Sequence, residues 1–242
     1  MESAEKTYRR AVSGEDLLSY EVNVRETELL IRSDVFLREE ALAAVHCLRG
    51  HVESYIQSHP DFLTSLSPLP DDGFSPAIVR AMLQAGKKAG VGPMAAVAGA
   101  IAEFVGQRLQ GRCGDIIIEN GGDIFLKSRR RERCVGIFAG SSPLSGRIAL
   151  RIPPSERSVG ICTSSGTVGH SLSYGRADAV CVLSASATLS DAAATAIGNV
   201  VMEQADIARG IARAQKIPGV LGILIIIRDR LGVWGEMEVV RS

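Results

Sequence analysis

An α+β fold is what this sequence predicts, on three observations. Residues 34–56 place apolar side chains at Val35, Leu37, Ala41, Leu42, Val45, Leu48 and Val52, the spacing of one face of a long helix. From Asp115 onward, apolar runs of strand length crowd the chain, at 115–119, 124–127, 134–138, 147–152, 158–163, 179–183, 220–227 and 233–240. Helical patterns return among these late strands, from Ser190 to about 201 and at 206–216.

Taken in order, residues 20–24 alternate apolar and polar and residues 27–31 run apolar, which suits a strand pair or one bent strand. The helix over 34–56 carries His46 and His51, with His59 just beyond, and histidines so placed read as surface or packing residues. Residues 59–76 are rich in Pro, Ser and Asp and read as a long surface loop, a lid or a binding loop. Pro76 opens a helix at 77–88, and Gly90 to Pro93 close it. The next helix, 94–109, is lined with small residues, so that another backbone or a ligand can come close; its glycine-flanked start could also receive a phosphate. Asn120-Gly121-Gly122-Asp123 between two strands is a turn signal, and also a place where backbone can lie flush against a flat ring.

Composition narrows the function. The 242 residues hold 27 basic and 27 acidic side chains, a net charge of zero that argues against binding driven by nucleic-acid phosphates. The arginine run 129–133 then reads as a solvated turn. The polar N-terminus lacks a signal core or lipid-attachment cysteine, and the most apolar run, 220–227, is too short to span a bilayer. A cytoplasmic protein with no membrane contact is expected. The five cysteines (Cys47, Cys113, Cys134, Cys162 and Cys181) stand apart, which disfavours zinc sites and disulfide frameworks. Cys113 follows Arg112 and is the thiol expected to be reactive, the other four being core residues.

Two stretches carry chemistry. In SDAAATA, Ser190 reads as the helix N-cap, Asp191 as first-turn acid and Thr195 as a hydroxyl four residues on, along the same face. One anionic and one neutral oxygen make the incomplete site that magnesium accepts when water and phosphate oxygens fill the rest; an ordinary capped packing helix is the other reading. Thr163, Ser164 and Ser165 open a hydroxyl- and glycine-rich segment suited to phosphate or sugar oxygens. His170 within it is the histidine placed to move a proton, unless the segment is simply a flexible Ser/Gly loop.

In their order, the small-residue helix GPMAAVAGAIAEFV, the strand end ENGGD, TSSG with His170, and SDAAATA resemble the ApbE-like family of magnesium-dependent FAD:protein FMN transferases, over about residues 92–201. The resemblance implies one ApbE-like domain over residues 1–242, with two intertwined lobes, mixed or antiparallel sheets flanked by helices and the strands concentrated in 115–242. It implies Asp191 and Thr195 as magnesium ligands, Asp191 and His170 as catalytic residues, Asn120, Gly121, Gly122 and Asp123 against the flavin, and Thr163, Ser164 and Ser165 on phosphate. Aligned on Gly99, Val97 stands where the family has a metal-binding alanine carbonyl, Ala98 where it has a lysine, and Glu103 near its downstream aspartate. His170 is followed by SLSYGRAD in place of an Asp-Pro step and a Thr-Gly. With these departures the sequence is similar to a small cytoplasmic ApbE-related family linked to sulfide assimilation and homocysteine formation, for which no catalytic mechanism is established.

The function expected is therefore a magnesium-dependent flavin transferase, FAD to FMN, or a protein binding flavin or another dinucleotide. The alternative is a non-catalytic accessory protein in sulfide assimilation. A protein substrate and a homo-oligomer fit either reading.

Overall fold

The computed structural model describes residues 12–71, 73–165 and 175–242. Eight strands form one sheet: β1 (Leu18–Val24), β2 (Thr27–Ser33), β3 (Ile116–Asn120), β4 (Asp123–Lys127), β7 (Val159–Ser164), β8 (Ala179–Ser184), β9 (Val220–Ile227) and β10 (Arg230–Gly235). They stand side by side in that order, and every neighbouring pair is antiparallel. A second antiparallel sheet, in the order β11 (Glu238–Arg241), β6 (Ile148–Ile152), β5 (Arg133–Gly136), covers one face. Helices α1 (Arg38–Ser58), α3 (Ala77–Ala89), α4 (Val97–Leu109), α5 (Ala187–Gly198) and α6 (Ile207–Ala214) occupy the other; α2 (Asp61–Thr64) is a single turn. This is the antiparallel, helix-flanked α+β architecture expected.

Alternation along the strands explains the unbroken apolar runs. In β3, Ile116 and Ile118 join the core beneath the helices, while Ile117 joins the core between the sheets. In β9, Ile223, Ile225 and Ile227 face the helices, and Leu224 and Ile226 face the small sheet. A strand covered on both faces needs apolar residues at every position.

Several boundaries differ from the sequence reading. The N-terminal pair resolves into two strands around Arg25 and Glu26, Arg25 taking φ 52°. The last run is divided: β10 ends at Gly235 (φ 85°), and the chain crosses to the other sheet as β11. The α5 helix starts earlier than Ser190, because Ser186 caps it by accepting the Leu189 amide at 3.2 Å. Ser190 is instead buried in the helix, donating to the Gly160 carbonyl at 3.0 Å, so Asp191 lies one turn further in than a first-turn acid. The arginine run is only partly a solvated turn. Arg133 is 2 % exposed and bonds Asp16, Asp115 and Ser128, since a buried guanidinium must find acceptors.

No single helix among the described residues is long and apolar enough to cross a membrane.

Candidate functional site

The start of α4 and the middle of α5 touch because each is built from small residues. A Cβ on Gly99 would stand 2.3 Å from the Ala187 carbonyl oxygen and 2.8 Å from Asp191 Cβ, so only glycine permits this approach. Tight packing of the two helices is thus what Gly99 permits. Their closeness lets the Gly99 amide, unpaired within its own helix, donate to Asp191 Oδ2 at 2.9 Å.

The β3–β4 turn arrives beside the same helix start. Gly121 (φ 63°) and Gly122 (φ 105°) both take left-handed backbone, as a two-residue hairpin loop requires. The turn is tied down on both sides: Asn120 Nδ2 donates to the Ala98 carbonyl at 3.0 Å, and the Thr163 amide donates to the Gly122 carbonyl at 3.3 Å. Directly after the turn, Asp123 pairs in register with Cys162 of β7, whose thiol lies 3.2 Å from the Ala187 carbonyl.

Two carboxyl groups therefore converge. Burial pushes the Asp123 carboxyl well above the usual carboxylate range, and the nearby Asp191 charge adds to the effect. Burial likewise raises Asp191, to about 7, against the opposing pull of the Gly99 and Ala98 amides. The Cys162 thiol is pushed up by burial and then by both acids. Asp123, Asp191 and Thr195 each keep partial solvent exposure, so the cluster can be reached from outside.

Such a pair suits a hard divalent cation better than zinc, because its donors are carboxylate and neutral oxygens. Among the described residues no three His, Cys, Asp or Glu side chains are grouped to enclose a metal. A cation here would take its remaining ligands from water and substrate phosphates, which is how magnesium is commonly held.

Of the residues singled out from sequence, Asn120, Gly121, Gly122, Asp123, Thr163 and Asp191 are brought together by these contacts. Thr195 follows Asp191 by one turn of α5; Ser164 ends β7 and Ser165 comes just after it. His170 lies outside the described residues, as does most of its glycine-rich segment.

Two residues take roles that the sequence did not assign to them. Cys162 had been read only as core, although its cross-strand position beside Asp123 follows from strand pairing. Glu103 anchors α5: its Oε2 accepts from Ser186 Oγ (2.7 Å), the Thr188 amide (2.9 Å) and Thr188 Oγ1 (2.7 Å). A carboxylate at a helix N-terminus satisfies amides that the helix leaves free.

The thiol expected to be reactive stands in the core. Cys113 is buried with its pKa pushed up to about 11, chiefly by burial, while Arg112 reaches away to Glu40 at 2.7 Å. The exposed cysteine is Cys47, which had been placed in the core. It takes an Arg108 N–H at 3.5 Å and lies 3.9 Å from His51 Nε2. His59 stacks on Tyr55 with ring centroids 4.1 Å apart, a packing role.

Comparison with known proteins matches residues 9–230 to the family model described as AbpE bacteria. A UPF0280 protein of Methanocaldococcus jannaschii is 39% identical over 228 residues, 90% of this chain and 91% of that protein. One of Methanococcus aeolicus is 42% identical over 194 residues, 78% of each chain. In structure, the chain is similar to the flavinyl transferase ApbE of Pseudomonas stutzeri in its apo form (TM-score 0.58, 12% identity, 90% of this chain and 94% of that one). It is also similar to the flavin transferase ApbE of Vibrio cholerae (TM-score 0.57, 13% identity, 90% and 96%). At such identities the likeness is one of fold.

Proposed function

Because the chain belongs to the AbpE bacteria family, we propose that it binds FAD beside the β3–β4 turn and, with magnesium, transfers the FMN moiety to a protein hydroxyl in the cytoplasm. The observation that carries this reading is the convergence of Asp123 and Asp191 at a glycine turn locked to the start of α4.

In this reading Asp191 and Thr195, joined by Asp123, hold the cation, which would neutralise charge on the diphosphate. Gly121 and Gly122 leave the turn without side chains, so the isoalloxazine ring can lie against backbone while Asn120 keeps the turn in register. Thr163, Ser164 and Ser165 meet phosphate oxygens. The acceptor hydroxyl attacks the FMN phosphorus, the phosphoanhydride bond breaks and AMP leaves, the hydroxyl proton passing to His170. Cys162 excludes water behind Asp123.

Incubation with FAD, magnesium chloride and a Ser/Thr-containing acceptor peptide should release AMP and leave flavin covalently on the peptide. Asp191→Asn should lower AMP release at least about a hundredfold with the fold intact, the scale expected when a charge-stabilising group is lost. Full activity in that variant would remove the mechanism. A second reading has Ala98 in favour, since the family's lysine is absent there: an accessory protein in sulfur metabolism that binds flavin without transferring it. Tight FAD binding with no AMP release under any acceptor would select it.

A further inference from the structure

We propose that β10 is a self-association edge, through which two copies of this chain join their eight-stranded sheets antiparallel. Among the described residues the large sheet ends at β10. Leu231 and Val233 lie cross-strand from Ile226 and Leu224, both fully buried between the sheets. They therefore continue the same apolar row, yet remain 40% and 39% exposed and outside the core that the two sheets enclose. The opposite edge is unlike this. On β1, exposed Ser19, Glu21 and Asn23 alternate with buried residues, the polar character that keeps an edge from pairing.

The backbone is set for pairing. A two-residue turn, Arg228 and Asp229, closes the β9–β10 hairpin, so Arg230, Gly232 and Trp234 bond inward to β9 and Leu231 and Val233 point their amides and carbonyls outward. An antiparallel pair centred on Gly232 uses those outward groups and sets Leu231 opposite Val233 of the second copy, twice. On the other face α6 backs the strand: a Cβ at Gly232 would meet Ile207 at 2.2 Å, so the strand cannot shift toward the helix.

Charge selects a second copy as the occupant. One end of the strand carries exposed Arg228 and Arg230, and the other leads into exposed Glu236, with Glu238 beyond it bonded to Arg151. Asp229, the one acid among the arginines, is bonded to Gln204 at 2.8 Å. Antiparallel pairing about a two-fold axis brings the arginine end of each copy to the glutamate end of the other and sets Arg230 over the Trp234 ring. Parallel stacking, or an acidic peptide along the whole strand, would leave one end mismatched.

Sedimentation velocity over a concentration series should show a reversible dimer. Leu231→Lys with Val233→Lys should give a monomer whose thermal midpoint, measured below the dissociation constant, matches that of the parent chain, because both side chains are already partly exposed. Arg228→Glu should weaken the dimer about tenfold, since this register sets Arg228 opposite Glu236 of the second copy and symmetry repeats the contact, and adding Glu236→Arg should restore it. A monomer at all concentrations would overturn the proposal, as would a dimer indifferent to the lysines or a charge reversal that the second reversal fails to rescue.

Discussion

The amide of Gly99 donates a 2.9 Å hydrogen bond to Asp191 Oδ2, joining two helices across 92 positions of sequence. The bond exists because residue 99 has no side chain. Gly99→Ala would press a methyl to 2.3 Å from the Ala187 carbonyl and force α5 outward. Overpacking of this kind costs about 1–3 kcal/mol. Urea denaturation should show that loss, and magnesium-dependent thermal stabilisation of the folded variant should fall with it, because the displaced element carries Asp191. An unchanged urea midpoint would mean that the helices separate without cost.

Glu103 acts on the same helix at its N-terminus. It satisfies the Thr188 amide and two hydroxyls at once, and truncation would leave both Thr188 donors buried and unanswered. Glu103→Ala is expected to destabilise by about 2–4 kcal/mol, the range for losing a buried acceptor that is itself charged. Chemical denaturation checks this, with Glu103→Gln as the companion. The amide oxygen can still accept, so the glutamine variant should keep a substantial part of the stability.

What the sequence makes legible here, and what it hides, follows the range of the forces involved. Strand runs, the glycine turn and the long amphipathic helix are written in local periodicity, so β3, β4, β9 and α1 could be read directly. Long-range contacts are not. Nothing local tells Ser186 from Ser190 as the cap of α5, because both are serines ahead of a helical pattern; burial against Gly160 decides it. Likewise Arg129, Arg131 and Arg133 belong to one basic run, but Arg129 pairs with Glu156 and Arg131 reaches Asp16 from an exposed position, while Arg133 alone of the three is buried, between Asp16 and Asp115. Asp191 and Asp123 could each be picked out alone, while their convergence with Cys162 depends on the β4–β7 pairing and the α4–α5 approach.

Cysteine reactivity tests the difference between neighbours in sequence and neighbours in space. Cys113 sits beside Arg112 in the chain, yet it is buried, with its pKa pushed up to about 11. Cys47 is exposed and faces Arg108. Brief alkylation with iodoacetamide at pH 8, followed by peptide mass spectrometry, should label Cys47 first and leave Cys113, Cys162 and Cys181 unlabelled until denaturant is added. Early labelling of Cys113 would contradict its burial.

Asp16 supplies a pH-dependent clasp. Arg133 bonds both of its oxygens, at 2.5 and 3.1 Å, and this holds the Asp16 carboxyl below its ordinary value of 3.8. A carboxyl whose pKa is depressed on folding lends stability above its unfolded pKa and loses it as the pH falls through the folded value. Asp16→Asn should therefore destabilise the protein at pH 7 by about 1–3 kcal/mol, the scale of a hydrogen bond between charged groups. The gap to the parent chain should narrow once the pH drops below about 3.8 and close at lower pH, where Asp16 is protonated in both states. Urea midpoints of the two proteins measured from pH 7 down to pH 3 would trace this convergence. A gap that stayed constant across the range would assign the Asp16 contribution to neutral packing and not to its charge.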